Sequence, residues 1–359
     1  MKRITFLLPA VANVPVGGYK VVYEYANRLV NDGFAVSIVY AAYSKRYDVS
    51  MLFNMLRAVK GLFRLFYYRV FGYSTAWFDV DAKVDEQVVM SLSERFVPKS
   101  DIYIATSVLT AIELNRWSCD NEKKVYLIQH YENWAGVTDT MLCETYRYPF
   151  KKIVISKWLY KIVSQYDPQC VQIPNGFDFD FFKRTTNYAD RDSCCLAMLY
   201  HTQELKGCAD GFKALSIVKQ RYPELKVNIF GVAPRPQDLP DWYCYYQQPN
   251  REDFNKLYNE ASIFVGTSWA EGWGLTVGEA MMCGCAIACT DNDGYKEMVT
   301  DGQTALISPI KTPELLADNI IRLIEDSKLR EGIANNGYEH IQLFCWDSSY
   351  KKLKSLLVG

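Results

Sequence analysis

A glycine-rich stretch between Glu271 and Gly284 carries the residues best suited to chemistry. It follows a predicted strand, crosses a turn at Gly272 and Gly274, and opens a predicted helix. A helix N-terminus presents backbone N–H groups and the positive end of the helix dipole, so this turn could hold a phosphate. Glu279 lies on that helix, where its carboxylate could accept hydrogen bonds from both hydroxyls of a ribose. In the alternative interpretation the glycines only permit a tight turn and both glutamates are solvated.

Length and composition indicate an ordinary globular protein with two domains. At 359 residues the chain exceeds the roughly 250 to 300 residues at which one hydrophobic core stops growing. Apolar residues make up 49% of the chain and charged residues 23%, a balance that excludes disordered, collagen-like and coiled-coil proteins. The net charge of −1 is too even for a protein held mainly by nucleic-acid phosphate, so we expect no nucleic-acid partner.

Cysteine usage and the apolar runs indicate a cytoplasmic protein. The 11 cysteines include no C-x-x-C pair, and neither Cys194-Cys195 nor Cys283-Gly-Cys285 has the spacing of a zinc site. We therefore expect reduced thiols. The apolar run at residues 4–8 is too short for a signal peptide and better suits a first strand. No uncharged apolar window reaches about 18 residues, so we expect no membrane-spanning helix.

Strand-like runs alternate with helix-length segments in both halves of the chain, which is the pattern of βαβ units and parallel sheets. The sequence predicts strands at 3–8, 35–40, 101–105, 125–128, 152–156, 195–199, 226–230, 262–265 and 286–289, and helices at 208–220, 275–282 and 313–326. Turn residues at 173–176 and a polar stretch at 178–192 place a linker near residue 170. Two Rossmann-like domains in series would bring their strand ends to one interdomain cleft, where ligands of open parallel sheets bind.

The glycine-rich segment resembles the signature of a known enzyme family. The E-x(7)-E spacing of Glu271 and Glu279 within EGWGLTVGEAMMCGCAIA is similar to that of the retaining glycosyltransferases of family 4, glycosyl transferases group 1, which have the GT-B fold. Four further segments resemble this family, namely IPNGFD at 173–178 followed by Phe181, DGQTALI at 301–307, Gly17-Gly18, and FCW at 344–346. The resemblance is strong from about residue 152 to 346 and weak from 41 to 100.

The resemblance implies an α/β protein with the GT-B fold, in which two Rossmann-like parallel-sheet domains face a deep interdomain cleft. Residues 1–170 would form an amino-terminal acceptor-binding domain. Residues 171–343 would form a carboxyl-terminal nucleotide-sugar-binding domain. The last helix, at 344–359, would pack back on the first domain.

In the second half, the resemblance implies a site for a nucleotide-diphosphate sugar. Glu279 would bind the ribose of the nucleotide, and Glu271 would approach the donor sugar. The backbone around Gly274, Leu275 and Thr276 would hold the diphosphate.

Lys206 matches the family's lysine, whose ammonium would neutralise the diphosphate leaving group as the glycosidic bond breaks. Five residues earlier the family usually has an arginine, whereas this sequence has His201. A neutral imidazole donates one hydrogen bond where a guanidinium offers a charged fork. Either His201 is therefore protonated beside the phosphates or another cation helps. The alternative is that His201 is a surface residue of a loop.

Candidate residues in the first half lie near predicted strand ends and a predicted helix start. His130 matches in position the family's cleft histidine, which contacts the donor sugar, although a lone histidine is more often structural. Glu132 is a candidate acceptor-binding residue. Gly17 and Gly18 open a predicted helix, so their amides could approach a diphosphate or the acceptor hydroxyl.

Three D-x-D triplets, at 79–81, 178–180 and 291–293, have the form of a divalent-metal site on a diphosphate. A chain with 41 acidic residues contains such triplets by chance, and the second belongs to the segment at 173–178. We therefore predict no required metal and no cofactor beyond the sugar nucleotide as substrate.

Residues 51–71 are predicted to form an amphipathic helix with a broad apolar arc. The arc contains Leu52, Met55, Leu56, Val59, Leu62, Phe63, Phe66 and Val70, and Arg57, Lys60 and Arg64 lie opposite. Two interpretations are open. The helix could lie in an anionic membrane interface beside a lipid-linked acceptor, which would place the enzyme peripherally on the inner face of a membrane, or it could pack on the sheet of the first domain.

Together with the residues above, the family resemblance implies a retaining hexosyltransferase-type glycosyltransferase. It would move a sugar from a nucleotide-diphosphate sugar to an acceptor hydroxyl of a glycan or lipid-linked glycan, in bacterial-type surface polysaccharide or glycolipid assembly. The parallel sheets alone would also permit a nucleotide-sugar epimerase or an NAD-type oxidoreductase, but no G-x-G-x-x-G follows the first strand. A nucleotide-sugar-binding protein without catalysis is the third alternative.

Overall fold

The computed structural model describes residues 1–134 and 136–358. The chain divides into two units: Met1–Pro174 with Ser349–Gly359 form unit 1, and Asn175–Ser348 form unit 2. The boundary therefore falls after Pro174 rather than near residue 170.

Unit 1 contains a parallel sheet of seven described strands in the order β3-β2-β1-β4-β5-β6-β7. The strands are β1 (Arg3–Leu8), β2 (Ala35–Ala41), β3 (Asp85–Val89), β4 (Ile102–Ala105), β5 (Lys124–Ile128), β6 (Lys151–Val154) and β7 (Val171–Gln172). The residues of β4 and β5 are buried throughout, as expected for central strands covered on both faces. The strand order reverses between β1 and β4, and ligands of such sheets bind beyond the strand ends at that point.

The helices of unit 1 follow the ends of these strands. They are α1 (Gly17–Asn31), α2 (Met51–Phe71), α3 (Val108–Asn115), α4 (Asp139–Thr145) and α5 (Lys157–Val163). Side-chain oxygens of Ser107, Thr138 and Ser156 cap α3, α4 and α5 by accepting a hydrogen bond from a first-turn N–H. The helix α1 has no such side-chain cap, so its first-turn amides at Gly17 and Gly18 are not covered by one.

Unit 2 contains a second parallel sheet, of six described strands in the order β10-β9-β8-β11-β12-β13. The strands are β8 (Cys195–Tyr200), β9 (Lys226–Gly231), β10 (Tyr243–Gln247), β11 (Ile263–Gly266), β12 (Ala286–Thr290) and β13 (Leu306–Ser308). The helices are α6 (Cys208–Arg221), α7 (Arg251–Glu260), α8 (Leu275–Met282), α9 (Pro313–Glu325) and α10 (Ser327–Ile341). The core of unit 2 includes side chains of β8, β9 and β11 together with those of α6, α9 and α10.

The last helix, α11 (Trp346–Val358), begins in unit 2 and continues into unit 1. The segment before it stays in unit 2, because the N–H of Phe177 donates to the carbonyl oxygen of Phe344 at 2.9 Å. In unit 1, Lys354 Nζ lies 2.8 Å from the Asp32 carboxylate, and Lys2 Nζ donates to the carbonyl oxygen of Leu357 at 2.7 Å. The part of the last helix that returns to the first unit thus begins at Ser349 rather than at residue 344.

The helix α2 does not pack its apolar arc on the sheet of unit 1. All eight predicted arc residues are exposed, from 49% for Val59 to 71% for Phe63. The buried residues of the helix are Asn54 and Gly61. The packing interpretation of residues 51–71 is therefore wrong. Among residues 1–134 and 136–358, no helix is long and apolar enough to cross a membrane.

Candidate active site

The best-formed candidate site lies in unit 2, at the point where the strand order of its sheet reverses. The neighbouring central strands β8 and β11 pair in parallel, and each is followed by a loop that leads into a helix N-terminus. The hydroxyl of Thr267 donates to the carbonyl oxygen of Lys206 at 2.7 Å. The N–H of Trp269 donates to the carbonyl oxygen of Leu205 at 2.8 Å. The two loops are therefore held against each other where open parallel sheets bind ligands.

Lys206 and Glu271, both predicted to be catalytic, meet between these loops. Lys206 Nζ lies 2.7 Å from Glu271 Oε1, and the hydroxyl of Ser268 donates to the same oxygen at 2.7 Å. The side chains keep 23% and 13% of their surface exposed. The ammonium is thus fixed in place while a part of it remains accessible to an anion.

The N-terminus of α8 has no side-chain cap and no acidic residue in its first turn. Gly274 is its N-cap and has a φ of +98°, a left-handed conformation that favours glycine. A Cβ at this position would also lie 2.6 Å from the ring of Tyr295. Leu275 and Thr276 are the first helical residues, so the three residues predicted to hold a diphosphate form one uncapped helix start.

Glu279 lies on α8 and is only 5% exposed. The hydroxyl of Tyr258 donates to Glu279 Oε2 at 3.3 Å, so the carboxylate is not simply solvated. Gly278 beside it has a packing role, because a Cβ there would lie 2.1 Å from the ring of Phe177. The alternative interpretation, in which the glycines only permit a turn and the glutamates are solvated, therefore explains neither Gly278 nor Glu279.

His201 follows β8 and is neutral at pH 7 in this arrangement. Burial chiefly, and then the nearby ammonium of Lys206, lower the pKa of His201 below its ordinary value, and Glu271 only partly opposes them. The N–H of Gln203 donates to His201 Nδ1 at 3.0 Å, which leaves the proton on Nε2. The lowered pKa and this hydrogen bond favour a neutral imidazole with an Nε2–H donor, and the protonation of His201 beside phosphates stays a prediction.

Replacing His201 by glutamine is expected to keep the affinity for a nucleoside diphosphate within about threefold, because both side chains donate one neutral hydrogen bond. The ratio of the affinity of the wild type to that of His201→Gln should stay constant from about pH 7 to pH 9, as titration calorimetry can measure. His201→Arg should bind about fivefold more tightly, since a charge-assisted bond is stronger by roughly 1 kcal/mol. If the wild type instead binds the nucleoside diphosphate more tightly than His201→Gln at low pH, and this difference disappears as the pH rises, His201 is protonated in the complex.

In unit 1, His130 lies just beyond the end of β5. Its Nδ1 is 3.1 Å from the carbonyl oxygen of Tyr131, and its ring makes edge contacts with Trp134 and Trp158 at centroid distances of 5.1 Å and 6.1 Å. Trp134 is 47% exposed, so the imidazole lies beside an accessible aromatic surface. The role of His130 in donor contact stays a prediction.

Gly17 and Gly18 form the first turn of α1, after β1. The neighbouring residue of His130, Gln129, donates from Nε2 to the carbonyl oxygen of Gly18 at 3.1 Å. A Cβ on Gly18 would lie 3.3 Å from that amide. The glycine is thus required for the close approach of Gln129, in addition to any part in ligand binding.

Glu132 is buried, with 6% of its surface exposed. Its Oε2 accepts a hydrogen bond from the N–H of Val108 at 2.5 Å, at the start of α3. Burial raises the pKa of Glu132 to about 8, and this hydrogen bond only partly opposes the shift. The structure thus places Glu132 inside unit 1 at a helix N-terminus, and its role in acceptor binding stays a prediction.

The sequence interpretation missed a polar pocket of about 180 Å³ in unit 1. It is lined by Tyr43, Ser44, Lys45, Tyr47, Ser91, Leu92, Ser93, Leu109, Thr110, Glu113 and Arg116. Several of these residues directly follow β2 and β3, so the signal was a cluster of hydroxyl and charged residues after two strand ends. Its lining can hydrogen-bond a polyol or an anionic group.

The acidic triplets show no arrangement for a metal. Asp178 lies 2.8 Å from Arg251, while Asp291 and Asp293 lie 2.8 Å and 3.4 Å from Lys296. Within the described parts of the chain, no three histidine, cysteine, aspartate or glutamate side chains are grouped to hold a metal ion. The absence of a metal requirement stays a prediction.

Comparison with known proteins agrees with this site. Residues 192–340 match the family model for glycosyl transferases group 1, and this segment contains Lys206, Glu271 and Glu279. The resemblance inferred from the E-x(7)-E segment is therefore confirmed for unit 2.

The curated relatives that this chain resembles are distant. Phosphatidyl-myo-inositol mannosyltransferase of Mycobacterium tuberculosis is 26% identical over 190 residues, which cover 49% of this chain and 50% of the relative. O-antigen chain mannosyltransferase B of Escherichia coli is 29% identical over 107 residues, covering 30% of this chain and 28% of the relative. The chain spans about half the length, or less, of these relatives.

Solved structures match this chain along nearly its whole length. Sucrose-phosphate synthase from Thermosynechococcus elongatus has a TM-score of 0.71 at 16% identity, and covers 99% of this chain and 98% of its own. HepE from Anabaena, solved in complex with UDP-glucose, has a TM-score of 0.71 at 16% identity and covers 99% of both chains. At such identities the likeness shows the fold alone, and it confirms the predicted GT-B fold with two parallel-sheet domains.

Proposed function

We propose that this protein is a retaining glycosyltransferase that moves a hexose-type sugar from a nucleotide-diphosphate sugar to an acceptor hydroxyl. The observation that carries the proposal is the ion pair of Lys206 and Glu271 between two loops of unit 2, one of which leads into the uncapped start of α8. A fixed, partly exposed cation and a free helix N-terminus are complementary to a diphosphate. Glu279, four residues into that helix, supplies a carboxylate for the ribose.

The proposed reaction is a same-face attack that needs no nucleophilic side chain. As the bond between the anomeric carbon and the diphosphate oxygen breaks, the ammonium of Lys206 and the amides of Leu275 and Thr276 would stabilise the charge on the departing oxygen. That oxygen takes the proton of the acceptor hydroxyl, which forms the new glycosidic bond on the same face of the sugar. Glu271 both holds Lys206 and approaches the sugar.

The acceptor is proposed to be a glycan or a lipid-linked glycan. The names of two relatives, a phosphatidyl-myo-inositol mannosyltransferase and an O-antigen chain mannosyltransferase, support a role in glycolipid or surface polysaccharide assembly. Unit 1 offers the polar pocket beside Tyr43 and Arg116 for the hydroxyl-rich end of such an acceptor.

The proposal is tested first by donor binding. Melting the protein with a panel of UDP-, GDP- and dTDP-sugars should identify one nucleotide that raises the melting temperature. Incubation with that donor and candidate acceptors, followed by NMR of the product, should show transfer with an unchanged anomeric configuration. Binding without transfer or donor hydrolysis would favour a non-catalytic binding protein, and an inverted product would overturn the same-face mechanism.

Transfer is expected to persist in excess EDTA. Lys206 and the start of α8 supply the positive charge that a divalent ion supplies in metal-dependent glycosyltransferases. The measurement compares initial rates with and without the chelator, and then with added manganese. A complete loss of activity that manganese restores would contradict the metal-free proposal and direct attention to Asp291 and Asp293.

A further inference from the structure

The helix α2 is attached to unit 1 by its polar side. Asn54 Nδ2 donates to the carbonyl oxygen of Arg46 at 2.9 Å, and its Oδ1 accepts from the N–H of the same residue at 3.0 Å. At Gly61 the helix comes so close to the body that a Cβ would lie 2.8 Å from Cβ of Tyr43. Arg57 and Arg64 donate to carbonyl oxygens of the body at 3.4 Å. These residues repeat at three- and four-residue intervals and form one stripe.

The opposite side of α2 presents large apolar side chains to solvent. The exposed ones are Met51, Leu52, Met55, Leu56, Val59, Leu62, Phe63, Phe66 and Val70, each at 49% or more. Phe53, Tyr67 and Phe71 lie outside this arc and are also exposed, each at 50% or more. Soluble helices of ordinary domains bury such a face, and a contiguous exposed patch of this kind marks an interaction site. Because the polar stripe is already used for attachment, rotation of the helix cannot bury the apolar side without breaking these contacts.

The charges of α2 indicate what covers this apolar side. Residues 51–71 contain four basic residues and no acidic residue. At 100° per residue, Lys60 and Arg69 lie on the two sides of the apolar arc, where long basic side chains can reach phosphates while their stems stay in an apolar layer. Phenylalanine and tyrosine residues add aromatic groups suited to the boundary between lipid headgroups and acyl chains.

We infer that α2 lies in the plane of an anionic lipid bilayer, with its apolar side in the acyl boundary and its basic flanks among the headgroups. Its 21 residues correspond to about 31 Å of helix, which is long enough to span a bilayer core. The basic residues disfavour crossing, so the helix is expected to lie along the surface. A second copy of this chain is the less suitable occupant. A symmetric pairing through the apolar side of α2 would bring Lys60 and Arg69 close to the same two residues of the second copy, without any acidic partner in either helix.

Flotation with lipid vesicles tests this inference without requiring glycosyltransferase activity. The full chain should float with phosphatidylcholine vesicles that contain phosphatidylglycerol, and much less with phosphatidylcholine alone. Lys60→Glu with Arg69→Glu should lower the partition coefficient by about 10- to 100-fold, because each basic residue near an anionic surface contributes roughly a factor of five. Phe63→Ser with Phe66→Ser should lower it by at least about 10-fold on the same vesicles.

The matched control is Lys351→Glu with Lys352→Glu, the same change of charge on exposed positions of α11. This control should float like the wild type, and all variants should melt like it, since every altered side chain is exposed. Failure of the wild type to float with anionic vesicles would overturn the inference. An equal loss of vesicle binding in the α11 control would also overturn it, because the loss would then be a general effect of charge. A wild-type dimer in light scattering that Phe63→Ser with Phe66→Ser converts to a monomer would overturn it as well.

Discussion

Replacing Lys206 by alanine is expected to lower kcat by about 10²- to 10³-fold, because leaving-group charge develops fully only in the transition state. Ground-state affinity for the donor should fall much less. Lys206 Nζ also lies 2.7 Å from Glu271 Oε1. Removing the ammonium therefore leaves the carboxylate of Glu271 unpaired beside the diphosphate, and its repulsion lowers donor affinity as well. Single-turnover transfer rates and donor affinities, measured on the same protein, separate the two effects.

Two further variants make the assignment of Lys206 decisive. The double variant Lys206→Ala with Glu271→Gln has no carboxylate to repel the diphosphate. Its donor affinity should therefore be higher than that of Lys206→Ala, while the rate of transfer stays low. Lys213→Ala, which removes an exposed lysine of α6, should behave like the wild type. Transfer by Lys206→Ala at a rate within a few-fold of the wild type would mean that another cation stabilises the leaving group.

Glu279→Ala is expected to weaken binding of a free nucleoside diphosphate by roughly 10- to 150-fold, which corresponds to about 1.5 to 3 kcal/mol for a charge-assisted pair with the ribose. Inorganic diphosphate carries no ribose, so its affinity should stay unchanged in the same variant. Titration calorimetry with both ligands therefore distinguishes loss of the ribose contact from a general disturbance of the start of α8.

Because Glu279 is 5% exposed, its removal could also loosen the packing around α8. Tyr258→Phe serves as the control, since it removes the hydrogen bond at 3.3 Å and keeps the carboxylate. This variant should retain most of the affinity for the nucleoside diphosphate, and a melting curve of each protein reports any loss of stability. Equal weakening toward both ligands, or unchanged affinity for the nucleoside diphosphate, would refute the ribose assignment.

The sequence by itself determined the central strands and the location of the donor-site segments. All nine predicted strands exist, because buried strands of a parallel sheet are continuous apolar runs that can be read locally. The four strands that were missed, β3, β7, β10 and β13, are the edge strands of the two sheets. Edge strands are short or partly exposed, so their sequences lack that signal.

Only the tertiary structure decided how separated residues act on one another. Lys206 and Glu271 are 65 positions apart, and their pairing depends on the adjacency of β8 and β11. The lowered pKa of His201 depends on burial and on that same lysine. For α2, periodicity defined an apolar arc but not which side meets the body. The polar contacts of Asn54 and the close approach at Gly61 decided which side meets the body. The partners in these contacts, Arg46 and Tyr43, lie outside the helix, so the helical pattern alone could not reveal them.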